Sequence, residues 1–305
     1  MIRLLVFMLL AILSGRTVFA AVLEAGPGKP FAVPSAAIAK ARDGDTVRVA
    51  PGEYEDCATI RQNRFTLEGA GGEVVMKAKT CAGKAILIVA GTKVTVRGLT
   101  LANAKVPDRN GAGLRAEGGE LLIENVLFLD NENGLMTAND PRISIRIVDS
   151  AFVGNGHCRP TCAHGIYAGF IGLLRVEHSR FYNQHEGHHI KSRAARTEVI
   201  GSDIQDGPSG NSSYLIDIPN GGAVSIDNNQ LRKGRKSSNG GTAISMGAEG
   251  DVNPPGPILV RGNTFVNEQE RATVFVRDFT ATPAQLIGNT LAGQVKPLEG
   301  PGTVR

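Results

Sequence analysis

The residues best suited to proton transfer and anion binding are concentrated in the middle of the chain. The sequence GHHIKSR at residues 187–193 combines two imidazoles, an ammonium and a guanidinium. Imidazole, ammonium and phenol groups act as general acids or bases, and a guanidinium can hold a carboxylate in bidentate fashion. The first candidates for catalytic residues are therefore Lys191, His189, Tyr167 and Arg193. All six histidines fall between residues 157 and 189: His157, His164, His178, His185, His188 and His189.

A six-residue pattern that recurs eight times indicates which elements position these candidates. Each unit begins with an aliphatic residue, in most cases has a small or Asn-like fourth residue, and ends with an apolar one. The last residues of successive units are separated by 27, 24, 29, 23, 27, 34 and 26 residues. Such a variable period is typical of a β-helix with loops of unequal length. The units are residues 96–101, 123–128, 147–152, 176–181, 199–204, 226–231, 260–265 and 286–291.

A second series of short strands lies between these units and contains the candidate residues. Aligning the strands on their central aliphatic residue predicts one interior column of Ile166, Ile190, Ile216, Ile244 and Val274. Because strand side chains alternate between two faces, the neighbours of this column point outward. With a strand spacing of about 4.8 Å, these neighbours form one compact patch, which Arg193 extends. The outward residues are Tyr167, Lys191 and Asp217 in one file and Gly165, His189 and Leu215 in another. By the same alternation, His164, His188 and Tyr214 are predicted to point inward.

The polar residues at the fourth position of the later units are predicted to stack at a turn. Asn229, Asn263 and Asn289 recur there, and an Asn side chain readily bonds nearby backbone groups. We therefore interpret them as structural residues.

The start of the chain resembles a known family. Residues 35–42 have helix-forming composition with Ser35 as an N-cap candidate, and they lead into DGDTV at 43–47 and PGEY at 51–54. This order resembles the opening of right-handed parallel β-helix proteins, the pectin-lyase-like superfamily. The resemblance implies an all-β, single-stranded right-handed parallel β-helix over residues 21–305, with about nine or ten coils. It also implies a short N-terminal helix that caps the open end of the solenoid.

The same resemblance implies a polysaccharide as the partner molecule. The superfamily includes lyases, glycoside hydrolases, epimerases and esterases as well as non-catalytic fibres, and the fold alone does not choose among them. Cleaving a uronate polymer by β-elimination requires a cation for the carboxylate, a base for the C5 proton and an acid for the leaving oxygen. We predict Lys191 or His189 as the base, Tyr167 as the acid and Arg193 as the cation. Further substrate contacts are predicted from Asp217, Arg115, His164 and His188.

A local resemblance favours a lyase and suggests a metal. The segment Glu186-x-x-x-x-Lys191-Ser192 is similar to the catalytic stretch of the alginate lyase and chondroitinase B family. This similarity implies that Lys191 is the base and that Glu186 helps to bind Ca²⁺. The chain departs from the family pattern at Gln184, where a second calcium-binding acid would be expected, and at Asp217, in the coil where an arginine would be expected.

The first 20 residues have the composition of a secretory signal peptide. Arg3 provides a positive charge, residues 4–13 an apolar core, and Val18-Phe19-Ala20 a cleavage site. The apolar run is too short to span a membrane as a helix. We therefore expect a periplasmic or secreted protein without a membrane span after cleavage.

Four cysteines agree with an oxidising compartment. Cys57 and Cys81 lie about one coil apart, and Cys158 and Cys162 are close enough to close one loop. We predict the disulfides Cys57–Cys81 and Cys158–Cys162. The alternative is a zinc site that combines Cys158 and Cys162 with a neighbouring histidine.

The charge balance argues against nucleic acid as a partner. The chain has 33 basic and 29 acidic residues, and the two arginines in the signal segment leave 31 basic residues in the mature chain. Nucleic-acid binding calls for a strongly basic surface, whereas an acidic polysaccharide can bind in one local groove. We expect a monomer.

The leading hypothesis is thus an exported lyase for an acidic polysaccharide. The alternatives are a non-catalytic carbohydrate-binding β-helix, a C5-epimerase and a glycoside hydrolase. The hydrolase ranks lower because Asp203, Asp206 and Asp227 do not share one face, although paired carboxylates must flank one bond.

Overall fold

The computed structural model describes residues 20–305. The predicted signal segment, residues 1–20, therefore lies outside the described residues except for Ala20. The described chain is an all-β parallel solenoid of about 11 turns, and successive coils add strands to three sheets in a fixed order. In this part of the chain no helix has the length and apolar character needed to cross a membrane.

Sheet 1 has 12 strands within the described residues, and every strand pairs in parallel with the corresponding strand of the next coil. Its strands are Val22–Ala25, Thr46–Val49, Thr66–Gly69, Val94–Arg97, Glu120–Glu124, Asp140–Val148, Ile171–Glu177, Arg196–Ile200, Ala223–Asp227, Ile258–Arg261, Ala284–Ile287 and Gly302–Val304.

Sheets 2 and 3 have ten strands each in the same described range. The strands of sheet 2 are Gly52–Tyr54, Val74–Lys77, Thr100–Ala102, Leu127–Leu129, Ala151–Val153, Arg180–Tyr182, Asp203–Gln205, Gln230–Lys233, Thr264–Asn267 and Thr290–Ala292. The strands of sheet 3 are Ala58–Ile60, Ala85–Val89, Ala112–Ala116, Asn133–Thr137, Ile166–Ala168, Ile190–Ser192, Ile216–Ile218, Thr242–Met246, Thr273–Asp278 and Val295–Glu299.

The coil count exceeds the predicted nine or ten for two reasons. The first coils precede residue 96 and lack the recurring six-residue pattern. The tail after Leu291 also lacks that pattern, and its strands Val295–Glu299 and Gly302–Val304 extend sheets 3 and 1. Backbone hydrogen bonds in a parallel sheet do not depend on the side-chain pattern, so coils without that pattern still form.

The recurring units form the hydrophobic core between sheets 1 and 2. Their first residues align across sheet 1, as in the series Val96, Ile123 and Ile147, and their last residues align across sheet 2. Phe128 and Phe152 stack with ring centroids 4.4 Å apart, and the next ring continues the stack at 4.7 Å. The predicted period therefore corresponds to physical coils.

A two-residue corner joins sheet 1 to sheet 2 in all eight units. The third residue of each unit has positive φ, from 48° at His178 to 66° at Gly98. Gly, Asn and Asp adopt this left-handed conformation most readily, which explains why they predominate at this position. The eight residues are Gly98, Asn125, Asp149, His178, Gly201, Asn228, Gly262 and Gly288.

The fourth residues of the units form a hydrogen-bond ladder at the same corner. The backbone N–H of Ser202 donates to Asn229 Oδ1 at 2.8 Å, that of Asn229 to Asn263 Oδ1 at 2.9 Å, and that of Asn263 to Asn289 Oδ1 at 3.0 Å. Serine hydroxyls accept in the same way in earlier coils, beginning with Ser150. The predicted stacking of the asparagines is confirmed.

The N-terminal helix spans Pro34–Ile38, which is shorter than expected, and Ala37 and Ile38 are buried in the core. The prediction of Ser35 as N-cap is wrong, because Val33 holds that position without a side-chain hydrogen bond. The N–H of Ser35 instead donates to Asp56 Oδ2 at 2.7 Å, which satisfies a first-turn donor from outside the helix. Closure of the solenoid end by this helix stays a prediction.

Both predicted disulfides, Cys57–Cys81 and Cys158–Cys162, are present. The zinc alternative for the second pair is wrong because its thiolates are used in the bond. Cys158–Cys162 closes a hairpin in which His157–Cys158 pairs antiparallel with Cys162–Ala163.

The ladder makes Asn263 a sensitive position. Asn263→Ala would leave the buried backbone N–H of Asn229 without its acceptor and its side-chain amide with one acceptor instead of two, and it would remove a donor from the Ile226 carbonyl. We expect a loss of about 2–3 kcal/mol in the free energy of unfolding, measured by urea denaturation. Asn263→Ser should lose less because serine accepts in earlier coils. Gln230→Ala, at an exposed position directly after Asn229 in the preceding coil, is the control, and an equal loss there would contradict the role of the ladder.

Candidate active site

The outer file of sheet 3 brings three predicted residues together. Tyr167 aligns with Lys191 and Lys191 with Asp217 across neighbouring strands, while Ile166, Ile190 and Ile216 align in the core. The three side chains are therefore successive rungs about 4.8 Å apart. This alignment confirms the predicted outer file.

The interior column differs from the prediction at one residue. Ile244 aligns with Val276, whereas Val274 aligns with Thr242. The strand Thr273–Asp278 is longer than its neighbours, so its central aliphatic residue was misassigned by two positions.

Lys191 lies between two carboxylates. Its Nζ is 3.2 Å from Asp217 Oδ2 and 2.8 Å from Glu249 Oε1. The Asp217 side chain is 4% exposed and lies beneath the lysine, whereas the Glu249 side chain is 45% exposed and lies above it. Asp217 was predicted as a substrate contact, but its burial makes it a partner of Lys191.

Arg193 connects this pair to the tyrosine. Its Nε donates to Tyr167 Oη at 3.2 Å, and its other nitrogens contact Glu249 Oε2 at 2.6 Å and Asn220 Oδ1 at 2.5 Å. The guanidinium carbon is 5.9 Å from the ring centroids of both Tyr167 and Phe170. Lys191, Arg193 and Tyr167 therefore converge on one small patch of the surface.

The prediction that the His189 side chain points outward from sheet 3 is wrong. Its side chain is 1% exposed, and Nε2 donates to the buried carboxylate of Asp206 at 3.2 Å. The reason is that the strand begins only at Ile190, so the alternation of faces does not extend back into the preceding bend. His188 and His189 consequently exchange the orientations expected for them.

The buried surroundings of His189 form a structural network. Burial tends to raise the pKa of Asp206, but hydrogen bonds from His189 and Ser212 and the charge of Lys233 lower it below its usual value. Lys233 is fully buried, donates to the Ser213 carbonyl, and has its pKa lowered by burial to about 8. This network supports the corner behind the site and does not reach the groove.

His164 and His188 form a stacked ladder beside the site with Tyr214. The two imidazole centroids are 4.9 Å apart, and His188 stacks on Tyr214 at the same distance. The Nδ1 atom of His164 accepts the N–H of His188 at 3.0 Å, and His188 Nδ1 accepts the N–H of Tyr214 at 3.1 Å. Because both Nδ1 atoms are acceptors, a neutral ring carries its proton on Nε2.

His188 and His164 lie beside different residues of the site. Nε2 of His188 is 3.5 Å from Asp217 Oδ2, the oxygen that also contacts Lys191 Nζ. The ring of His164 stacks on Tyr167 at 5.5 Å. Burial raises the pKa of Asp217, and burial together with the charges of Lys191 and Arg193 lowers the pKa of His164 to about 3. The pKa of His188 is also lowered, mainly by burial.

Two predicted residues lie apart from this cluster. Arg115 shares the outer file but is separated from Tyr167 by Met136, and its Nε donates to Glu117 at 2.8 Å. It can contact only a ligand that extends along the sheet. Glu186 lies in the corner before the strand, where its carboxylate accepts the N–H of Cys158 at 2.5 Å.

The donors around Glu186 do not fit a calcium ion. Ca²⁺ takes roughly six to eight oxygen ligands, whereas one oxygen of Glu186 is already bound to Cys158 and the neighbouring Gln184 is a buried amide. In residues 20–305 no group of three or more His, Cys, Asp or Glu side chains is placed to hold a metal.

Sequence reasoning missed Glu249 and Asn220. Glu249 comes from the loop at residues 247–257, two coils after Lys191, and folds back across the groove. The available signal was the 34-residue spacing from Leu231 to Phe265, the longest between the units. That spacing indicates an enlarged loop, but the residue that returns to the site depends on the folded path.

Because His164 is buried in its neutral form, we expect the folded protein to lose stability at low pH. The unfolded chain takes up this proton near pH 6.5, whereas the folded protein resists protonation down to about pH 3. This contribution to stability is therefore complete above pH 6.5 and is lost as the pH falls through that range.

We expect wild type to lose about 2–3 kcal/mol more than His164→Asn between pH 7.5 and 4.5. Asparagine keeps an acceptor for the His188 N–H but does not titrate. His178→Asn, at an exposed turn, is the matched control, and the measurement is urea unfolding at both pH values. If wild type and His164→Asn showed the same pH dependence, the neutral state of His164 would be contradicted.

Comparison of structures finds similar proteins, whereas comparison of sequences finds none. No protein-family model and no curated protein matches the sequence. Among solved structures, an alginate lyase from Paenibacillus sp. str. FPU-7 is similar with a TM-score of 0.57 at 15% identity, over 92% of this chain and 99% of the lyase. ORF18 of Geobacillus virus E2 is similar with a TM-score of 0.52 at 16% identity, over 88% of this chain.

This chain spans 55% of the viral protein's length. At these identities the similarity concerns the fold. It identifies the chain as a right-handed parallel β-helix, as the sequence resemblance predicts.

Proposed function

We propose that this protein is an exported lyase that cleaves a uronate-containing polysaccharide by β-elimination. The observation that carries the proposal is the convergence of Lys191, Arg193 and Tyr167 on the outer face of sheet 3. These are the base, the carboxylate partner and the acid that the reaction requires. The fold similarity to an alginate lyase supports a polysaccharide substrate.

Arg193 provides the binding site for the substrate carboxylate. Its guanidinium is fixed by Asn220 and Tyr167, and its third nitrogen contacts the partly exposed Glu249 carboxylate. Neutralising the carboxylate stabilises the carbanion that forms when the C5 proton leaves. Because Asn220 and Tyr167 hold Arg193 in place before binding, this stabilisation requires little movement of the guanidinium itself.

Lys191 removes the C5 proton in its neutral amine form. Asp217 lies 3.2 Å from Nζ and has a pKa raised by burial, so it is a suitable acceptor for a proton from the ammonium. Transfer leaves Lys191 as a free amine and Asp217 as a neutral carboxyl group.

Tyr167 donates its phenolic proton to the leaving glycosidic oxygen. The Arg193 Nε–H bonded to Tyr167 Oη stabilises the phenolate that remains. Lys191 and Tyr167 occupy neighbouring rungs of one file, so both can reach a single sugar linkage. The two proton transfers therefore take place on one side of the sheet.

Export and the monomeric state belong to the same proposal. Two disulfides support an oxidising compartment, and the N-terminal composition predicts a signal peptide. We propose a periplasmic or secreted monomer.

A glycoside hydrolase is the second candidate, because Asp217 and Glu249 approach one point. Both contact Lys191 Nζ, and the sum of the two distances, 6.0 Å, is the largest separation their contacting oxygens can have. The pKa of Asp217 is raised and that of Glu249 lowered, which is the pattern of an acid and a base in a glycosidase. The burial of Asp217 ranks this candidate second.

Lys191→Ala and Tyr167→Phe should each reduce β-elimination at least about 100-fold, the scale of general acid–base catalysis. The measurement is the ultraviolet absorbance of unsaturated products from alginate, pectate and glycosaminoglycans, with and without Ca²⁺. Lys29→Ala, far from the site, is the control. Wild-type rates in Lys191→Ala would disprove its assignment as the base.

Product analysis separates the remaining alternatives. A hydrolase would release reducing ends without ultraviolet absorbance and would lose activity in Asp217→Asn. A C5-epimerase would change the sugar configuration by NMR without cleavage. A non-catalytic binding protein would retain carbohydrate in Lys191→Ala and release no product.

A further inference from the structure

The loop at residues 247–257 places a carboxylate of the protein itself on the two cations of the site. Glu249 Oε1 is 2.8 Å from Lys191 Nζ, and Oε2 is 2.6 Å from Arg193 Nη2. Each oxygen thus contacts a different cation. A uronate carboxylate bound to Arg193 would need the position of Oε2, and the C5 atom that carries it would need the space beside Lys191 that Oε1 occupies.

The two acids of the cluster differ in how easily they can leave. Asp217 is buried beneath Lys191 and cannot move without disturbing the sheet. Glu249 is 45% exposed, whereas Lys191 and Arg193 are 11% and 16% exposed. The outer carboxylate can therefore move into solvent while the inner one remains as a permanent counter-ion.

The backbone of the loop is anchored independently of the Glu249 carboxylate. The N–H of Glu249 donates to the Pro219 carbonyl at 2.9 Å, and that of Val252 to the Asn220 carbonyl at 3.2 Å. The Asn253 amide donates to three carbonyls, among them that of Arg193 at 3.3 Å. Rotation of the Glu249 side chain alone would uncover the cations.

Electrostatics makes substrate and Glu249 mutually exclusive at this position. Lys191 and Arg193 carry two positive charges, which Asp217 and Glu249 balance when ionised. A third carboxylate in contact with the same cations would repel Glu249 at close range. Burial tends to raise the pKa of Glu249, but hydrogen bonds from both cations hold it below its usual value, so the side chain is ionised when it occupies the position.

We infer that Glu249 is an exchangeable counter-ion, which occupies the carboxylate subsite of the free protein and is displaced by a substrate carboxylate. The inference rests on the proposed function in that it takes the ligand to be a uronate. Glu249 then determines specificity, because an uncharged sugar cannot replace its contacts with the cations. Methyl-esterified or otherwise neutral polymers would bind with the cations still occupied.

The test is a binding measurement with Glu249→Gln, which preserves shape and removes the charge. Calorimetric titration uses hexasaccharides of mannuronate and galacturonate and the methyl ester of the latter. We expect a Kd for an acidic hexasaccharide about threefold to fivefold lower than in wild type, the factor that one partly exposed ion pair contributes. The Kd for the methyl ester should not change. Glu268→Gln, which removes an acid paired with Arg232 at the edge of sheet 2, is the control.

Unchanged or weaker binding of the acidic hexasaccharides in Glu249→Gln would overturn the inference, as would the absence of binding to both proteins. Equal tightening for the methyl ester would also overturn it, because the effect would not depend on charge. Unsaturated product is assayed on the same samples. Tighter binding without product would count against the lyase and support counter-ion exchange. Cleavage with unchanged affinity would support the lyase and count against counter-ion exchange.

The second candidate function predicts an opposite result for the same variant. If Glu249 were the base of a hydrolase, Glu249→Gln would abolish release of reducing ends. An exchangeable counter-ion predicts a retained or increased kcat/KM for acidic substrates.

Discussion

Backbone hydrogen bonds between successive coils hold Ile166, Ile190 and Ile216 in one register, and the side chains of the site take their positions from it. The aliphatic column fixes which face each residue presents, since a slip by one position would place Tyr167 and Lys191 in the core. Residues more than 20 positions apart in the chain thereby become neighbours at one strand spacing. No loop has to be ordered to bring Lys191 beside Tyr167.

Charge in the site is distributed by depth. The rings of His164 and His188, beside the site, are kept neutral by burial, and their Nδ1 atoms are fixed as acceptors of backbone N–H groups. Asp217 is the innermost charged group, with Lys191 and Arg193 above it and Glu249 outermost. The cations therefore have a protein scaffold of fixed charge on one side and solvent on the other, and only the outer contact is open to replacement.

Most of the fold followed from the sequence because the repeat pattern records the register directly. The apolar columns and the stacked asparagines appear at fixed offsets, and Tyr167, Lys191 and Asp217 lie in the predicted file. The site was less accessible. Alternation applies only inside a strand, so the orientations of His188 and His189, in the bend before Ile190, were reversed.

Contacts made by long loops could not be predicted for a different reason. Glu249 reaches Lys191 through a path of turns whose direction depends on anchoring carbonyls at Pro219 and Asn220. The offset of 58 residues carries no periodic signal. In a solenoid, the sequence pattern predicts which side chains lie side by side on adjacent coils. It does not predict the contacts of a loop that crosses several coils, because these depend on the folded path of the loop.

The two-residue corner between sheets 1 and 2 has a consequence for how such a chain can change. Because its length is constant in these eight coils, differences in loop length among them occur only at the other two corners, and both of these border sheet 3. The connection from Met246 to Ile258 is one such enlargement. Changes in loop length therefore occur at the two edges of sheet 3. There they can alter ligand preference while the register of the coils is preserved.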